Sequence, residues 1–333
     1  MNYNLRVIKM SQLRQHDRLI FKNNRGEVVD HKNVERSEQL DAYMFVPKDA
    51  TVLELGARWG TVSCMINRML KDPRKHLAVE PDATVIPALI DNKKRAKAQF
   101  IIWNGAVSKK PLRMDRSEYD AQTIPAKDGG NVKVASLSQL QQKYKMKFDV
   151  LVADCEGCLC SFFKENDPIQ FRMIMFEKDY PQSCDYKKID RMLAQKGFVM
   201  IKNELNVVER SVWVRTDHLG FRITEHKVGH GHLGLFGRIG YETSLGTEVN
   251  APEGWIPISA HGPSRIVLEL GEEMEIRGHT LPSAAHHLPI EFVVDGTSVD
   301  ELREVKLSPG RHTLGMTGGN GAHTVWLLKE CKK

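Results

Sequence analysis

The stretch TVLELGARWG, residues 51–60, decides the fold of this 333-residue chain. Its apolar residues Val52, Leu53 and Leu55 are followed at once by a glycine, which is typical of a buried parallel strand that ends in a tight turn. Beyond Gly60, apolar side chains recur at helical spacing, so the turn is predicted to open a helix. Because glycine lets a backbone approach a ligand closely, this strand–turn–helix unit predicts nucleotide binding. The pattern E-x-G-A-x-x-G differs from the dinucleotide pattern G-x-G-x-x-G, so the nucleotide need not be NAD.

A second short apolar run, HLAVE at residues 76–80, ends in an acid and is followed by Pro81. An acid at the tip of the second strand of a doubly wound sheet can accept hydrogen bonds from both hydroxyls of a ribose. The spacing from Glu54 to Glu80 suits one strand–helix–strand unit. The alternative interpretation, a surface glutamate before a turn, is weakened because Glu80 ends a strand one unit after a glycine turn.

Strands and helices alternate from residue 51 to residue 215, which predicts an α/β fold with a doubly wound, Rossmann-like parallel sheet. The apolar run FDVLVA, residues 148–153, is the next clear buried strand, and the run FRMIMF, residues 171–176, follows it. An amphipathic helix is predicted over residues 185–196, because Gly197 is a typical helix stop.

The regions that flank this domain have different patterns. Residues 1–50 contain a predicted hairpin and a helix, which could cover one face of the sheet or a ligand. Residues 216–250 are rich in glycine and predict a loop-like connection. Residues 251–333 alternate short apolar strands with turn residues, which predicts a small β-sandwich as an accessory domain. Its Trp255 and Trp326 could stack on a sugar ring, although strand-associated aromatic residues more often belong to a core.

The composition is that of an ordinary globular protein, with 41% hydrophobic and 27% charged residues. The net charge of +6 comes from scattered Lys and Arg residues, so a nucleic-acid partner is not expected. The first residues lack the apolar core of a signal peptide, and no stretch reaches the ~20 apolar residues of a membrane helix. We therefore expect a cytoplasmic protein, and the pattern does not indicate an oligomeric state.

The six cysteines are too few and too unevenly spread to suggest a disulfide framework, which favours a reduced setting. Cys155, Cys158 and Cys160 are close in sequence, but a structural zinc site needs four ligands and no second cysteine pair is present. Apolar packing around the preceding strand is the favoured interpretation.

Three carboxylates follow the later strands: Asp154 and Glu156 come after the fourth strand, and Glu177 comes after the fifth. In an open α/β sheet the ligand crevice lies beyond the carboxyl ends of the strands, so these side chains are expected to converge there. A carboxylate can act as a base toward a weakly acidic hydroxyl, or it can hold a divalent cation that eases deprotonation. We interpret Asp154 as the base or a metal ligand, with Glu156 and Glu177 as orienting groups or co-ligands. For Glu156, favourable charge at the start of the following helix is an equally good interpretation.

Seven motifs in order support a resemblance. They are VLELGARWG (52–60), AVEPD (78–82), NGAVS (104–108), SLSQL (136–140), FDVLVADCEG (148–157), IMFEKDY (174–180) and YKKIDRMLAQKGF (186–198). With these motifs the chain resembles class I S-adenosylmethionine (SAM)-dependent methyltransferases, and among them the FkbM-type sugar O-methyltransferases. The resemblance covers roughly residues 40–215 and leaves out residues 251–333. The chain departs from the family at Glu54, where aspartate is commoner, at Arg58-Trp59, where a small polar pair is usual, and at Ser138, where many members have aspartate.

The resemblance implies SAM as the cofactor and assigns it a set of residues. The methionine part would contact Glu54, Gly56, Ala57 and Gly60; the ribose would contact Glu80; Asn104, Gly105 and Ala106 would border the adenine. Arg58, Pro81 and Asp154 would also belong to the cofactor site.

The implied activity is O-methylation of a sugar or glycan hydroxyl, with a carboxylate base or with Mg²⁺ or Mn²⁺ held by candidates such as Asp154 and Glu177. Two alternatives stay open. The acceptor could be a phenol, a lipid-linked molecule or a protein, or the domain could be a SAM-binding module recruited through the β-domain.

Overall fold

The computed structural model describes residues 6–9, 11–115, 121–127, 129–204, 209–235, 238–239, 247–281, 290–301, 303–318 and 323–331. Contacts divide the chain into two compact units. The first consists of Gln12–Lys196 and Asn203–Trp213; the second consists of Met1–Ser11, Gly197–Lys202 and Val214–Lys333.

A seven-stranded sheet is built mainly from residues of the first unit. Its strands are β1 (Val52–Leu55), β2 (His76–Glu80), β3 (Ile101–Asn104), β4 (Val150–Ala153), β5 (Met173–Glu177), β6 (Val199–Glu204) and β7 (Arg210–Val214). The order across the sheet is β3-β2-β1-β4-β5-β7-β6, and the pairs from β3 to β5 are parallel. Strand β1 is buried along its whole length, including Glu54, whose carboxylate lies beside His76 of β2. The predicted doubly wound, Rossmann-like sheet is confirmed.

Among the described residues, seven α-helices accompany the strands. They are α1 (Ser11–Asp17), α2 (Arg36–Phe45), α3 (Thr61–Met69), α4 (Ile86–Arg95), α5 (Leu137–Tyr144), α6 (Leu159–Glu165) and α7 (Tyr186–Gln195). The SLSQL motif is the start of α5, where the Ser136 hydroxyl accepts a hydrogen bond from the Gln139 N–H and the Gln139 side chain accepts one from the Ser136 N–H. Helix α7 ends just before Gly197, which has a φ of 82°, as the sequence predicted.

The predicted N-terminal hairpin and helix both exist and belong to the first unit. The strands Phe21–Lys22 and Val28–Val29 pair, and the Phe21 ring is buried in one cluster with Trp59. The Asn92 amide donates to the backbone carbonyls of Lys22 and Trp59 and accepts from the Lys22 N–H. The segment before β1 is therefore part of the core that surrounds the glycine turn.

The second unit is built on an antiparallel sheet of eight strands. They are β8 (Phe221–Leu235), β9 (Ile256–Leu270), β10 (Met274–Leu281), β11 (Ile290–Val294), β12 (Thr297–Val299), β13 (Val305–Leu307), β14 (Gly310–Gly318) and β15 (His323–Glu330). The order is β12-β11-β14-β9-β15-β10-β13, with β8 also paired to β9. Short strands at Arg6–Lys9, Arg238–Ile239 and Thr247–Asn250 form a separate sheet. Residues 251–333 form strands as predicted, but the described strands of this region, β9 to β15, join in one sheet, where a sandwich has two.

The prediction of a loop-like connection over residues 216–250 is wrong for Phe221–Leu235, which form β8. One of the glycines that indicated a loop, Gly229, serves close packing instead. At Gly229 a Cβ atom would lie 2.9 Å from the Pro263 side chain, so only glycine lets the two strands approach this closely. Gly237, Gly240 and Gly246 lie outside the described residues.

The two tryptophans of the second unit are buried. Trp326 is 1% exposed and packs edge-on against Phe292, and Trp255 lies beneath the guanidinium of Arg277, 4.2 Å from the ring centre. Burial favours the core interpretation over stacking on a sugar.

The cysteines contradict the prediction of unpaired thiols. Cys155 is bonded to Cys158. Cys160 is bonded to Cys184, which joins the start of α6 to the loop after β5. Disulfides persist in oxidising surroundings, so cysteine usage no longer supports a reduced, cytoplasmic setting.

The longest helices of the described residues have ten residues, about half of the ~20 that a membrane-spanning helix needs.

Candidate functional site

The glycine turn after β1 is fixed by both neighbouring strands. Gly56 has a φ of 88°, and a Cβ atom on it would lie 1.6 Å from the backbone carbonyl oxygen of Asp154, which follows β4. On the other side, the N–H groups of Gly56 and Ala57 donate to the Val79 carbonyl at 3.0 and 3.1 Å. The turn thus lies where the strand order reverses between β2 and β4, the position at which open α/β sheets bind ligands.

Glu80 at the end of β2 holds the backbone on both sides of it. Its Oε2 accepts a hydrogen bond from the Arg58 N–H at 2.7 Å, and its Oε1 accepts one from the Asp82 N–H at 2.8 Å. Burial raises the pKa of the Glu80 carboxyl to about 7, although these two hydrogen bonds oppose the shift. Sequence reasoning gave Glu80 a ligand-binding role and did not anticipate that it also shapes the turn.

A cavity of about 360 Å³ lies beyond the carboxyl ends of the strands. We call it the main cavity. Of the predicted residues, its lining includes Gly56, Arg58, Glu80, Pro81, Ala106, Asp154 and Glu156. Its volume is in the range of pockets that hold small organic ligands.

Three residues that were predicted to contact the cofactor are not in the lining of either cavity described here. Gly60, with a φ of 83°, leads into α3, and a Cβ atom on it would lie 2.7 Å from the Leu89 side chain. The Asn104 side-chain amide and the Gly105 N–H both donate to the Glu80 carbonyl, each at 2.9 Å. These residues therefore support the backbone around the main cavity.

A second, smaller cavity of about 30 Å³ adjoins the first, since Leu55, Gly56 and Asp154 line both. We call it the carboxylate cavity. Its polar lining residues are Glu35, Glu38, Asp41, Glu54, Asp154, Glu177 and Arg210. Sequence reasoning missed the three acids at the start of the list, which lie in or just before α2, because no pattern in the sequence shows that this helix packs beside the strand ends.

Glu54 is shared between the protein core and the carboxylate cavity. Its Oε2 lies 3.0 Å from Nε2 of His76 on the neighbouring strand, and both side chains are buried. Its Oε1 is buried as well and has no hydrogen-bond partner among the described residues. Oε2 is therefore engaged by His76 within the sheet, and Oε1 could accept a hydrogen bond from a donor that enters the cavity.

Asp154 and Glu177 form a hydrogen-bonded pair of carboxyl groups. Burial, and then the charge of Glu177, raise the pKa of Asp154 well above its usual range. Burial, and then the charge of Glu38, raise the pKa of Glu177 to about 7. Arg210 balances part of this charge, because its Nη1 lies 3.1 Å from Glu38 Oε1 and 3.9 Å from Glu177 Oε1. The predicted convergence of these two carboxyls agrees with the structure.

Glu35 adds a third protonatable group to the carboxylate cavity. It precedes α2 in the left-handed backbone region, with a φ of 55°, and its Oε2 accepts a hydrogen bond from the Thr61 hydroxyl. Burial raises the pKa of Glu35 to about 7. At neutral pH this carboxyl is therefore close to half-protonated.

A group of carboxylates that could hold a metal ion differs from the predicted pair. Asp154, Glu156 and Asp179 each offer an oxygen, and these oxygens lie within 4.8 Å of one another. Carboxylate oxygens suit Mg²⁺ and Mn²⁺. Within the described residues Glu177 is not part of such a group, whereas Asp179, which sequence reasoning did not select, is. Asp179 also accepts hydrogen bonds from the Gly157 N–H and the Tyr186 hydroxyl.

No protein-family model matches this chain, and no curated protein is significantly similar to it. Among solved structures, the fibrillarin pre-rRNA processing protein of Methanococcus jannaschii is similar over 64% of this chain and 83% of its own, at 14% identity and a TM-score of 0.38. An O-methyltransferase from Bacillus cereus in complex with SAH is similar over 56% and 84%, at 12% identity and a TM-score of 0.38. Fibrillarin from Aeropyrum pernix with natively bound SAM is similar over 64% and 84%, at 13% identity and a TM-score of 0.36. Similarity of this degree does not indicate which activity the chain has.

Proposed function

We propose that this protein is a SAM-dependent O-methyltransferase and that its acceptor is a hydroxyl group of a sugar or glycan. The observation that carries the proposal is the hydrogen-bonded pair of Asp154 and Glu177 beside a glycine turn at the switch point of a doubly wound sheet. The pair offers a base with a pKa near neutrality, and the turn offers a place for a nucleoside-bearing cofactor.

The main cavity fits such a cofactor in size and chemistry. Glu80 ends the second strand and lines this cavity, and the carboxylate lone pairs that its two backbone hydrogen bonds leave over would accept hydrogen bonds from ribose hydroxyls. Gly56, Ala106 and Asp154 would border the rest of the molecule. When bound, SAM supplies a methyl group on a positively charged sulfur, which needs no metal for activation.

The protein's own contribution is the removal of the acceptor proton. A sugar hydroxyl is a very weak acid, and a carboxylate oxygen within hydrogen-bond reach lowers the cost of its deprotonation in the transition state. Asp154 borders both cavities, so it is placed to accept this proton, and Glu177 holds the pair in the singly protonated state that leaves one basic oxygen. The acceptor-only carboxylates around the site also suit a ligand with several hydroxyl donors, which favours a sugar.

A metal-assisted version of the same reaction is the second candidate. The group of Asp154, Glu156 and Asp179 favours it, since three carboxylates could hold a divalent cation that lowers the pKa of the acceptor hydroxyl. In this version Asp154 would be a ligand of the cation, and Glu177 would take the proton.

Titration calorimetry with SAM and with its demethylated product S-adenosylhomocysteine (SAH) is the test of the cofactor. We expect micromolar binding of both ligands, and at least a tenfold loss in the variant Glu80→Gln, which can accept only one of the two backbone N–H groups. The matched control is Glu269→Gln on an exposed position of the second unit. Absence of heat with either ligand in the wild type would refute the proposed function.

If both ligands bind, sugar acceptors are screened with Mg²⁺ or with EDTA, and loss of turnover in EDTA would select the metal-assisted version.

A further inference from the structure

The wall of the main cavity contains a disulfide that the proposed reaction does not use. Cys155 and Cys158 both line this cavity, both are half-buried, and their sulfurs are bonded to each other. The second disulfide differs, because neither Cys160 nor Cys184 is in the lining and Cys184 is only 2% exposed. A thiol that enters the main cavity would therefore meet the first disulfide and not the second.

The two cysteines close a tight turn whose backbone one of its residues does not favour. The Cys158 N–H donates to the Cys155 carbonyl at 3.1 Å, and the two Cα atoms are 5.4 Å apart. Between them Glu156 has a φ of 53° and Gly157 has a φ of 85°, both in the left-handed region. Positive φ values at both central positions are those of a type I′ turn, in which glycine is unstrained and glutamate is strained. The disulfide thus holds Glu156 in a conformation that this residue does not favour.

This turn shapes the site on two sides. Glu156 lines the main cavity and supplies one of the three carboxylate oxygens that lie within 4.8 Å of one another. The Gly157 N–H donates to Asp179 Oδ1 at 3.1 Å. A Cβ atom on Gly157 would lie 3.0 Å from the side chain of Ser183, which also lines the cavity. A change in the turn therefore moves part of the wall of the main cavity.

The bond can open without loss of the fold. It spans three positions in sequence, against 24 for the bond between Cys160 and Cys184, and a short closed loop restricts the unfolded chain much less than a long one. When the first bond opens, the second still ties the start of α6 to the loop after β5. The chain before the turn also stays anchored, since the Asp154 N–H donates to the Leu55 carbonyl.

We propose that the Cys155–Cys158 disulfide is a reversible redox site whose reaction partner is a dithiol, and that its reduction weakens ligand binding in the main cavity. The effect on the ligand rests on the proposed function. The two thiols of the partner supply two electrons and two protons: the bond between the cysteine sulfurs breaks, each sulfur becomes a thiol, and the partner becomes a disulfide through a mixed-disulfide intermediate. A disulfide partner reverses the reaction. The oxidised protein is the form that binds SAM and SAH.

The size of the effect follows from the strain in the turn. The strain of a non-glycine residue in the left-handed region is large enough for a released turn to favour other conformers about tenfold. Apparent affinity falls with the fraction of the protein that keeps the binding conformation. SAH should therefore bind roughly tenfold more weakly to the reduced form.

The test is a redox titration with dithiothreitol and its oxidised form, followed by thiol alkylation and mass spectrometry. We expect Cys155 and Cys158 to become alkylated at a lower proportion of dithiothreitol than Cys160 and Cys184. Calorimetric titration of SAH in the same buffers should show the roughly tenfold loss of affinity together with this first step of alkylation. Reoxidation should restore the affinity.

Variants separate the turn from general effects of the reductant. The double variant Cys155→Ser/Cys158→Ser lacks the bond, so it should bind SAH as weakly as the reduced wild type and should not respond to dithiothreitol. The matched control is Cys331→Ser, which removes a cysteine outside both disulfides and should respond as the wild type does.

Opening of both disulfides in a single step that coincides with unfolding would overturn the proposal, and so would an affinity for SAH that is the same in the oxidised and reduced forms. Absence of SAH binding in every buffer would instead refute the proposed function together with the effect on the ligand, and the alkylation pattern would still decide whether the redox site exists. If the double serine variant does not fold, the titration of the wild type gives both results.

Discussion

Gly56 lies so close to Asp154 that no side chain fits at its position: a methyl group on its Cα would lie 1.6 Å from the Asp154 carbonyl oxygen. The contact joins the end of β1 to the end of β4, which are parallel neighbours in register from Val52 and Val150. The two halves of the candidate site are also joined by a backbone hydrogen bond, since the Asp154 N–H donates to the Leu55 carbonyl at 3.0 Å.

The first prediction concerns Gly56→Ala. The added methyl group must push the turn away from β4, and alanine is also strained at a φ of 88°, so we expect a loss of about 3 kcal/mol or more in the free energy of unfolding. SAM binding should fall by at least a hundredfold. Gly26→Ala is the matched control, because Gly26 has a φ of 81° and no atom within 4 Å of an added Cβ. Denaturant unfolding and calorimetry measure both effects, and equal losses in the two variants would contradict the argument.

The second prediction concerns the pH dependence of the reaction. A base must be deprotonated to act, and the carboxyl pair contains Glu177 with a pKa of about 7, so kcat/KM should rise with pH and level off above about pH 7. In Glu177→Gln the like charge that raises the pKa of Asp154 is gone, so the rising limb should move to lower pH while the plateau falls roughly tenfold to a hundredfold. A variant profile that coincides with the wild type after scaling would exclude Glu177 from the titrating pair.

The third prediction concerns stability and uses Glu35. Its pKa of about 7 in the folded protein is above its ordinary value, so the folded state binds more protons than the unfolded state between about pH 4.5 and 7. The free energy of unfolding should therefore be highest at the acidic end of this window and fall as pH rises through it. In Glu35→Gln the free energy of unfolding should fall by roughly 1–3 kcal/mol less across this pH window than in the wild type. Urea unfolding at a series of pH values measures the difference. Parallel curves for wild type and variant would show that Glu35 does not titrate in this window.

The fourth prediction compares the two disulfides. The bond between Cys160 and Cys184 closes a loop with a sequence separation of 24, against 3 for the bond between Cys155 and Cys158. By the chain-entropy account, removal of the longer link should cost about 3.5 kcal/mol and removal of the shorter one about 1.7 kcal/mol. The double serine variants of each pair, compared by guanidinium unfolding, measure this difference. Thiol alkylation followed by mass spectrometry is the control that both bonds exist, and free thiols at all four positions in the untreated protein would contradict the pairing.

Much of the fold and part of the site could be predicted from local patterns. The buried run of β1, its glycine turn and the acid at the end of β2 are local features, so sequence alone locates Gly56 and Glu80. The approach of Asp154 to Glu177 could be predicted as well, because β4 and β5 are parallel neighbours and both residues stand at carboxyl ends.

Other features depend on contacts that no local pattern encodes. Glu35 enters the site from a helix that precedes the sheet, and its role follows only from how that helix packs. The disulfide from Cys160 to Cys184 joins the first turn of α6 to the loop after β5, and its spacing alone does not reveal it. In Phe221–Leu235 the glycines indicated a loop, but pairing with β9 along most of its length overrode this local preference.

The position of Glu80 restricts how this protein could evolve. In related folds a change of nucleotide preference can begin with one substitution of the acid at the end of the second strand. Here the same carboxylate holds the Arg58 N–H of the turn and the Asp82 N–H beyond the strand, so that substitution would alter the shape of the site together with its selectivity. A lineage that starts from this chain would need a second, compensating change before it could adopt a different cofactor.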